Sequence, residues 1–197
     1  MITVVTATGL ETAEARKALP ASVRVLQAGI SLRGNAEHIE GIAISCGLAG
    51  GLRDDLPTGT VLIPRTVRRP DGTTMACDPE LVELLAKAAR ALGHEPIDAP
   101  LLTSATLVHG QDRQKWADLG FAGVDMETGV IKSDRLACVR VVLDTPNREI
   151  APAWQRPASA IFHPRAWLDL PFLSREGPRG ARLSSLIVAK YLNCSTI

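Results

Sequence analysis

Short apolar runs of strand length alternate along this chain with stretches of helical spacing. Ile2–Thr6 is a β-rich run, and Glu11–Leu19 follows with the helix formers Ala13, Ala15, Lys17 and Ala18 before Pro20. Ser22–Ala28 alternates until Gly29 breaks it. Gly41–Ser45 is a strand that runs into a glycine-rich loop, Gly47-Leu48-Ala49-Gly50-Gly51. After the turn Pro57-Thr58-Gly59 comes the strand Thr60–Pro64, and Arg69-Pro70-Asp71-Gly72 reads as a further turn.

The clearest helix is Pro79–Leu92. Asp78 caps it, Pro79 suits its first turn, and Leu81, Leu84, Leu85, Ala88 and Leu92 make one apolar stripe before Gly93. The pattern then predicts a strand over Leu101–Val108, a helix over Gln111–Leu119 and a buried strand over Ala122–Asp125. A short helix over Glu127–Ser133 and a strand over Ala137–Leu143 follow. Residues 144–162, with Pro146, Pro152 and Pro157, are irregular, and helices are expected at 164–173 and 179–192. Strands alternating with helices give an α/β fold with a mostly parallel sheet. No linker or repeat divides the chain, so one domain is expected over residues 1–197.

Composition narrows the function. An apolar share of 46% supports a packed core, and a formal charge of +1 gives no basic surplus for nucleic acid. Cys46, Cys77, Cys138 and Cys194 form no CxxC pair, which argues against zinc and for free, buried thiols in a reducing compartment. His38, His94, His109 and His163 show no ligand spacing, so no metal is expected. There is no basic stretch before the first apolar run and no apolar run near ~20 residues, so a cytoplasmic protein is expected.

Three places carry candidate chemistry. Closely spaced glycines in Gly47–Gly51 let a ligand approach the backbone, or merely form a tight turn. The segment is neither GxGxxG nor a P-loop, and no cofactor is expected. In Val124-Asp125-Met126-Glu127, Glu127 either stabilises a helix start or accepts hydrogen bonds from paired sugar hydroxyls. Asp144 follows the apolar strand, where ligands of open α/β sheets bind; it is a general acid or a turn former. Arg140, inside that strand, needs a polar or anionic partner.

Taken in order, VVTATGLETAEA, SCGLAGGLRDDLPTGTVLIP, GVDMETG and RVVLD resemble the purine nucleoside phosphorylase and methylthioadenosine/adenosylhomocysteine nucleosidase superfamily over about residues 2–145. Within it, TGL-then-EA, GLAGGL, VDMET, RVVLD and the tail around APAWQRP and HPRAWLDLPFL look like the hopanoid-associated phosphorylase-like branch. That branch is linked to cleavage of adenosylhopane into adenine and ribosylhopane.

The resemblance implies a central mixed, twisted sheet flanked by helices, and a homo-oligomer, dimer or trimer. It implies a small nucleoside substrate, with contact to a membrane surface if that substrate is a hopanoid. Glu127 would clamp the ribose 2′- and 3′-hydroxyls, Met126 would pack on the sugar, and Ala49 and Gly50 would meet the ligand through their backbone. Asp144 would protonate N7 of the purine. Arg140 would pair with the acid that activates water, which is Glu14 or Glu11; the Glu14-Ala15 step matches the family better, and Glu14 is chosen. Phosphorylase relatives bind phosphate with an Arg and a Ser where this chain has Ser45 and Leu48, so hydrolysis is expected. Phosphorolysis, or a catalytically silent nucleoside-binding protein, is the alternative. The stretch from Glu127 to Asp144 is shorter than usual, so the helix after Glu127 should be clipped. Trp154, Phe162, Trp167 and Phe172 could line an apolar channel for a large 5′ substituent.

Overall fold

Strand β1 (Ile2–Thr6) lies between two parallel neighbours, β2 (Arg24–Gln27) and β3 (Ile39–Gly51), in the computed structural model, which describes residues 1–30, 38–155 and 164–194. The remaining strands are β4 (Val61–Leu62), β5 (Thr66–Arg68), β6 (Thr74–Ala76), β7 (Leu101–Thr103), β8 (Gly123–Asp125) and β9 (Ser133–Asp144). All nine belong to one sheet. Its main path runs β2-β1-β3-β8-β7-β5-β6, with β9 pairing β3 and β4 off that path. The sheet is mixed: β8 runs antiparallel to β3, β4 antiparallel to β9, and β5–β6 is an antiparallel pair around the turn at Gly72.

The long strands carry most of the order. β3 and β9 run parallel from Ile39 opposite Ser133 to Gly50 opposite Asp144, with irregularities near each end. Three expectations change here. Gly47–Gly51 is strand rather than loop, because β9 and β8 pair with it on its two sides. The strand expected to begin at Ala137 begins at Ser133, where Ile39 donates its N–H to the Lys132 carbonyl. The helix expected over Glu127–Ser133 is a single 3₁₀ turn, Thr128–Val130.

The helices are α1 (Gly9–Ala18), α2 (Pro79–Ala91), α3 (Gln111–Asp118), α4 (Pro164–Trp167) and α5 (Leu170–Cys194) among the described residues. α1 starts two residues before the predicted Glu11 because Thr8 caps it, in a capping box closed by Glu11. Asp78 caps α2 by accepting from the Leu81 N–H, as predicted. α5 is one continuous helix through Pro178, where a break had been expected. It packs on α1, α2, β3 and β9, and Gly177, Gly180, Ala181, Ser184 and Ser185 are buried in that contact. A Cβ on Gly180 would stand 2.6 Å from Leu48 Cδ2, so the helix comes as near the sheet as a glycine permits. Cys46, Cys77 and Cys138 are free and buried, whereas Cys194 is free and exposed.

Candidate active site

Parallel strands β1, β3 and β9 all deliver their carboxyl ends to one side of the sheet, and β8 arrives against β3 from the opposite direction. The chain leaving these strands surrounds a cavity of about 220 Å³. Its polar wall includes Glu11, Arg113, Asp125, Glu127 and Asp144, and its apolar wall includes Ile30, Leu107 and Trp154. Leu48, Ala49, Gly50 and Met126, expected at the substrate, also line it.

Glu11, not Glu14, supplies the N-terminal carboxylate. Glu11 is 3% exposed; its Oε2 accepts from the N–H groups of Ala7 (3.1 Å) and Thr8 (2.7 Å), and its Oε1 accepts from the Leu48 N–H at 2.8 Å. Glu14 pairs with Lys17 and lies outside the cavity lining, which corrects the choice made from the Glu-Ala step. A Cβ on Gly47 would overlap Glu11 Oε1 and stand 2.9 Å from Arg140 Nη1. The glycine therefore makes room for a carboxylate and a guanidinium to approach the β3 backbone together.

Arg140 lies behind the cavity wall, 1% exposed. Its Nη2 meets Asp125 Oδ2 at 2.8 Å, Ser45 Oγ at 2.8 Å, Thr128 Oγ1 at 3.1 Å and Glu127 Oε2 at 3.4 Å. Burial works against its charge, but Asp125, Glu127 and Glu11 outweigh burial and hold the guanidinium firmly protonated. The partner expected for Arg140 was Glu14; its ion-pair partners are Asp125 and Glu127. Asp125 is itself fixed by the Thr103 hydroxyl at 2.6 Å and by the N–H and hydroxyl of Thr128. This network spends the Ser45 hydroxyl internally. Glu127, 6% exposed, also accepts from the Met126 N–H at 3.3 Å.

Asp144 faces the cavity from the end of β9, 5% exposed and paired with Arg113 of α3. Burial raises its pKa above the usual carboxylate range, and Arg113 opposes the rise without cancelling it. Gly50 leaves just enough space: a Cβ there would lie 3.2 Å from Asp144 Oδ1. Sequence reasoning missed Arg113. Its helix, QDRQKWAD, is polar apart from Trp116 and Ala117, so nothing in the pattern singles out the one arginine that is 2% exposed.

Of the aromatic residues expected to form a channel, Trp154 lines the cavity and donates its indole N–H to the Ala166 carbonyl. Trp167 is 56% exposed, and Phe172 lies under the Arg148 guanidinium. Phe162 lies outside the described residues. Arg16, a conceivable phosphate ligand, is exposed. Among the described residues no cluster of His, Cys, Asp and Glu could hold a metal ion, and no helix is long and apolar enough to cross a membrane.

The mixed sheet flanked by helices is a fold shared with solved nucleosidase structures. Solved structures with this fold include the 5′-methylthioadenosine/S-adenosylhomocysteine nucleosidase of Neisseria meningitidis in complex with methylthio-immucillin-A. That match has 18% identity and a TM-score of 0.71, and covers 98% of both chains. A putative nucleosidase of the same kind from Borrelia burgdorferi, bound to adenine, has 15% identity and a TM-score of 0.73, covering 98% of this chain and 100% of the other. Native futalosine hydrolase of Helicobacter pylori has 12% identity and a TM-score of 0.69, covering 98% and 97%. No curated protein sequence matches the chain. The family model of the Phosphorylase superfamily matches residues 21–131, and the chain belongs to that superfamily.

Proposed function

We propose that the protein is a purine nucleosidase that hydrolyses the N-glycosidic bond of an adenosyl compound. The observation that carries this reading is the division of one cavity. Glu11 stands at the Leu48 N–H and Glu127 on Arg140, and a buried carboxyl of raised pKa, Asp144, stands further along β3 beside Gly50. Glu127 would accept from the ribose hydroxyls with Met126 against the sugar. Ala49 and Gly50 would receive the base edge-on. Water attacks C1′ through an oxocarbenium-like state as the C1′–N9 bond breaks. Glu11 takes the proton from water, and Asp144 gives its proton to N7, so adenine leaves neutral.

Water is favoured over phosphate as the nucleophile. Three carboxylates, Glu11, Asp125 and Glu127, stand with the protonated Asp144 in or directly behind the wall against two guanidiniums, and both guanidiniums are held by carboxyl partners. An incoming phosphate dianion would meet net negative charge. Leu48 offers no hydroxyl, and Ser45 is committed to Arg140 and Thr128. The apolar wall of Ile30, Leu107 and Trp154 suits a greasy group on the ribose 5′ carbon, and with the motif likeness this supports adenosylhopane as substrate and ribosylhopane as product. The likeness also supports a homo-oligomer that meets the membrane surface where its substrate resides, and the free thiols fit a cytoplasmic setting.

The test is adenine release from adenosine, 5′-alkyl adenosines and adenosylhopane, followed by chromatography in phosphate-free buffer and again with phosphate. Release without phosphate is expected, with Asp144→Asn slower by about 10²–10⁴-fold but still binding. Strict phosphate dependence would identify a phosphorylase. Binding without release by the wild type would identify a silent relative.

A further inference from the structure

We propose that Arg113 is the positioning residue for Asp144: it clamps one carboxyl oxygen, leaves the other to face the purine, and ties the acid to the loop that follows it. The proposal rests on the nucleosidase reading above.

Arg113 sits on the first turn of α3, far in sequence from Asp144, yet it is among the most deeply buried large side chains of the protein. Three anchors fix it. Nη2 donates to Asp144 Oδ2, Nη1 donates to the Gly51 carbonyl at 2.8 Å, and Nε donates to the Val108 carbonyl at 3.2 Å. The same Nε lies 3.2 Å from Glu149 Oε1, which also accepts from the Gly110 N–H at 2.7 Å. The guanidinium thus joins the β3 end, the start of α3, the β9 end and the loop carrying Ile150 and Ala151 into the cavity wall. A carboxyl held at Oδ2 cannot rotate freely, and Oδ1 stays beside Gly50 where a base edge would lie. Such fixing of a proton donor is what transition-state geometry rewards.

The clamp also sets when the acid holds its proton. Burial favours the protonated form, and the adjacent guanidinium, with a smaller contribution from the Ile150 N–H, favours the ionised form. The other charged groups near this carboxyl are Glu149 beside Arg113, Glu11, Asp125 and Glu127 around the cavity, and Arg140 on the same strand. Because the reaction needs protonated Asp144, activity falls on the alkaline side as that proton is lost. Replacing the guanidinium with an apolar group moves this alkaline limb to higher pH.

The experiment is a pH profile of kcat/KM for the wild type, Arg113→Lys, Arg113→Met and Glu149→Gln. It is paired with a ¹³C NMR titration of the Asp144 carboxyl, assigned with Asp144→Asn. Arg113→Met is expected to raise the limb and the NMR midpoint by about one pH unit or more. It should also lower plateau kcat at least tenfold, and Arg113→Lys should keep the wild-type limb. Glu149→Gln removes the carboxylate that competes for Arg113 at a side chain 29% exposed, so it should move both readouts downward and serves if Arg113→Met does not fold. Unmoved readouts in the folded variants, or a fractional loss equal at every pH, would overturn the clamp. The NMR midpoint needs no turnover, so a midpoint that moves in a protein that cleaves no nucleoside would count against the nucleosidase reading alone.

Discussion

Glu11 and Glu14 share one helix and differ by three residues, about 4.5 Å of rise. That distance separates a carboxylate that reaches back over the helix start from one that pairs with Lys17. A capping glutamate is ordinarily a local device, yet here its second oxygen takes the Leu48 N–H from a strand thirty-seven residues away. Motif spacing could not separate the two, because both follow a strand–helix junction and the deciding contact is long-range. Under the proposed chemistry, Glu11→Gln lowers kcat by about 10²–10⁴-fold, the usual worth of a general base. Glu14→Gln leaves kcat near wild type, since Glu14 lies outside the cavity lining and its partner Lys17 is solvent-exposed. Steady-state adenine release from the two variants, each checked for folding by circular dichroism, decides this; a dead Glu14→Gln beside an active Glu11→Gln would reverse the assignment. Asp144, Glu127 and Met126 were legible because each stands at a strand end in a motif. Arg113 was not, because its meaning lies in burial that a polar helix conceals.

Elements with strong local signals fall where the pattern put them. β1 has its predicted bounds, and α2 has its predicted cap and Pro at the first turn. The pattern failed where tertiary contacts override local preference. Gly47–Gly51 lacks the β-branched side chains of a strand, but pairing on both sides holds it extended. Pro178 and two glycines look like a helix break, yet α5 continues because small residues let it settle onto β3 and β9. The two glycines differ in what a methyl would meet, and this gives a contrast. At Gly177 the nearest atom is the flexible tip of Leu10 at 3.3 Å; at Gly180 it is Leu48 Cδ2 at 2.6 Å, with Val141 Cγ1 at 3.3 Å. Gly177→Ala should therefore be neutral or stabilising by up to about 1 kcal/mol, the ordinary helix preference for alanine. Gly180→Ala should destabilise by about 1–3 kcal/mol as an overpacked contact and disturb Leu48 in the cavity wall. Urea unfolding of both variants measures the difference, and equal effects would mean that α5 does not press on the sheet at Leu48.

At the scale of the whole molecule, the cavity has no local address. Residues 7–11, 48–50, 106–113, 124–127 and 143–154 meet there only because β1, β3, β8 and β9 share one sheet. The ordered motifs supplied most of these segments, and the sheet supplied the register that brings them together. A ligand spanning the cavity should thus stabilise the entire fold in proportion to its binding. At a hundredfold excess over its Kd, adenine should raise the melting temperature by roughly 5–10 °C for a chain of this size. The division of the cavity makes the readout selective. Asp144→Ala, which leaves no hydrogen-bonding group at this position, should abolish most of the shift given by adenine while leaving that given by a ribose-like pyrrolidinol, and Glu127→Ala should do the reverse. Thermal melts of the wild type and both variants with each compound test this. If either variant loses both shifts equally, Asp144 and Glu127 do not serve separate halves of one nucleoside.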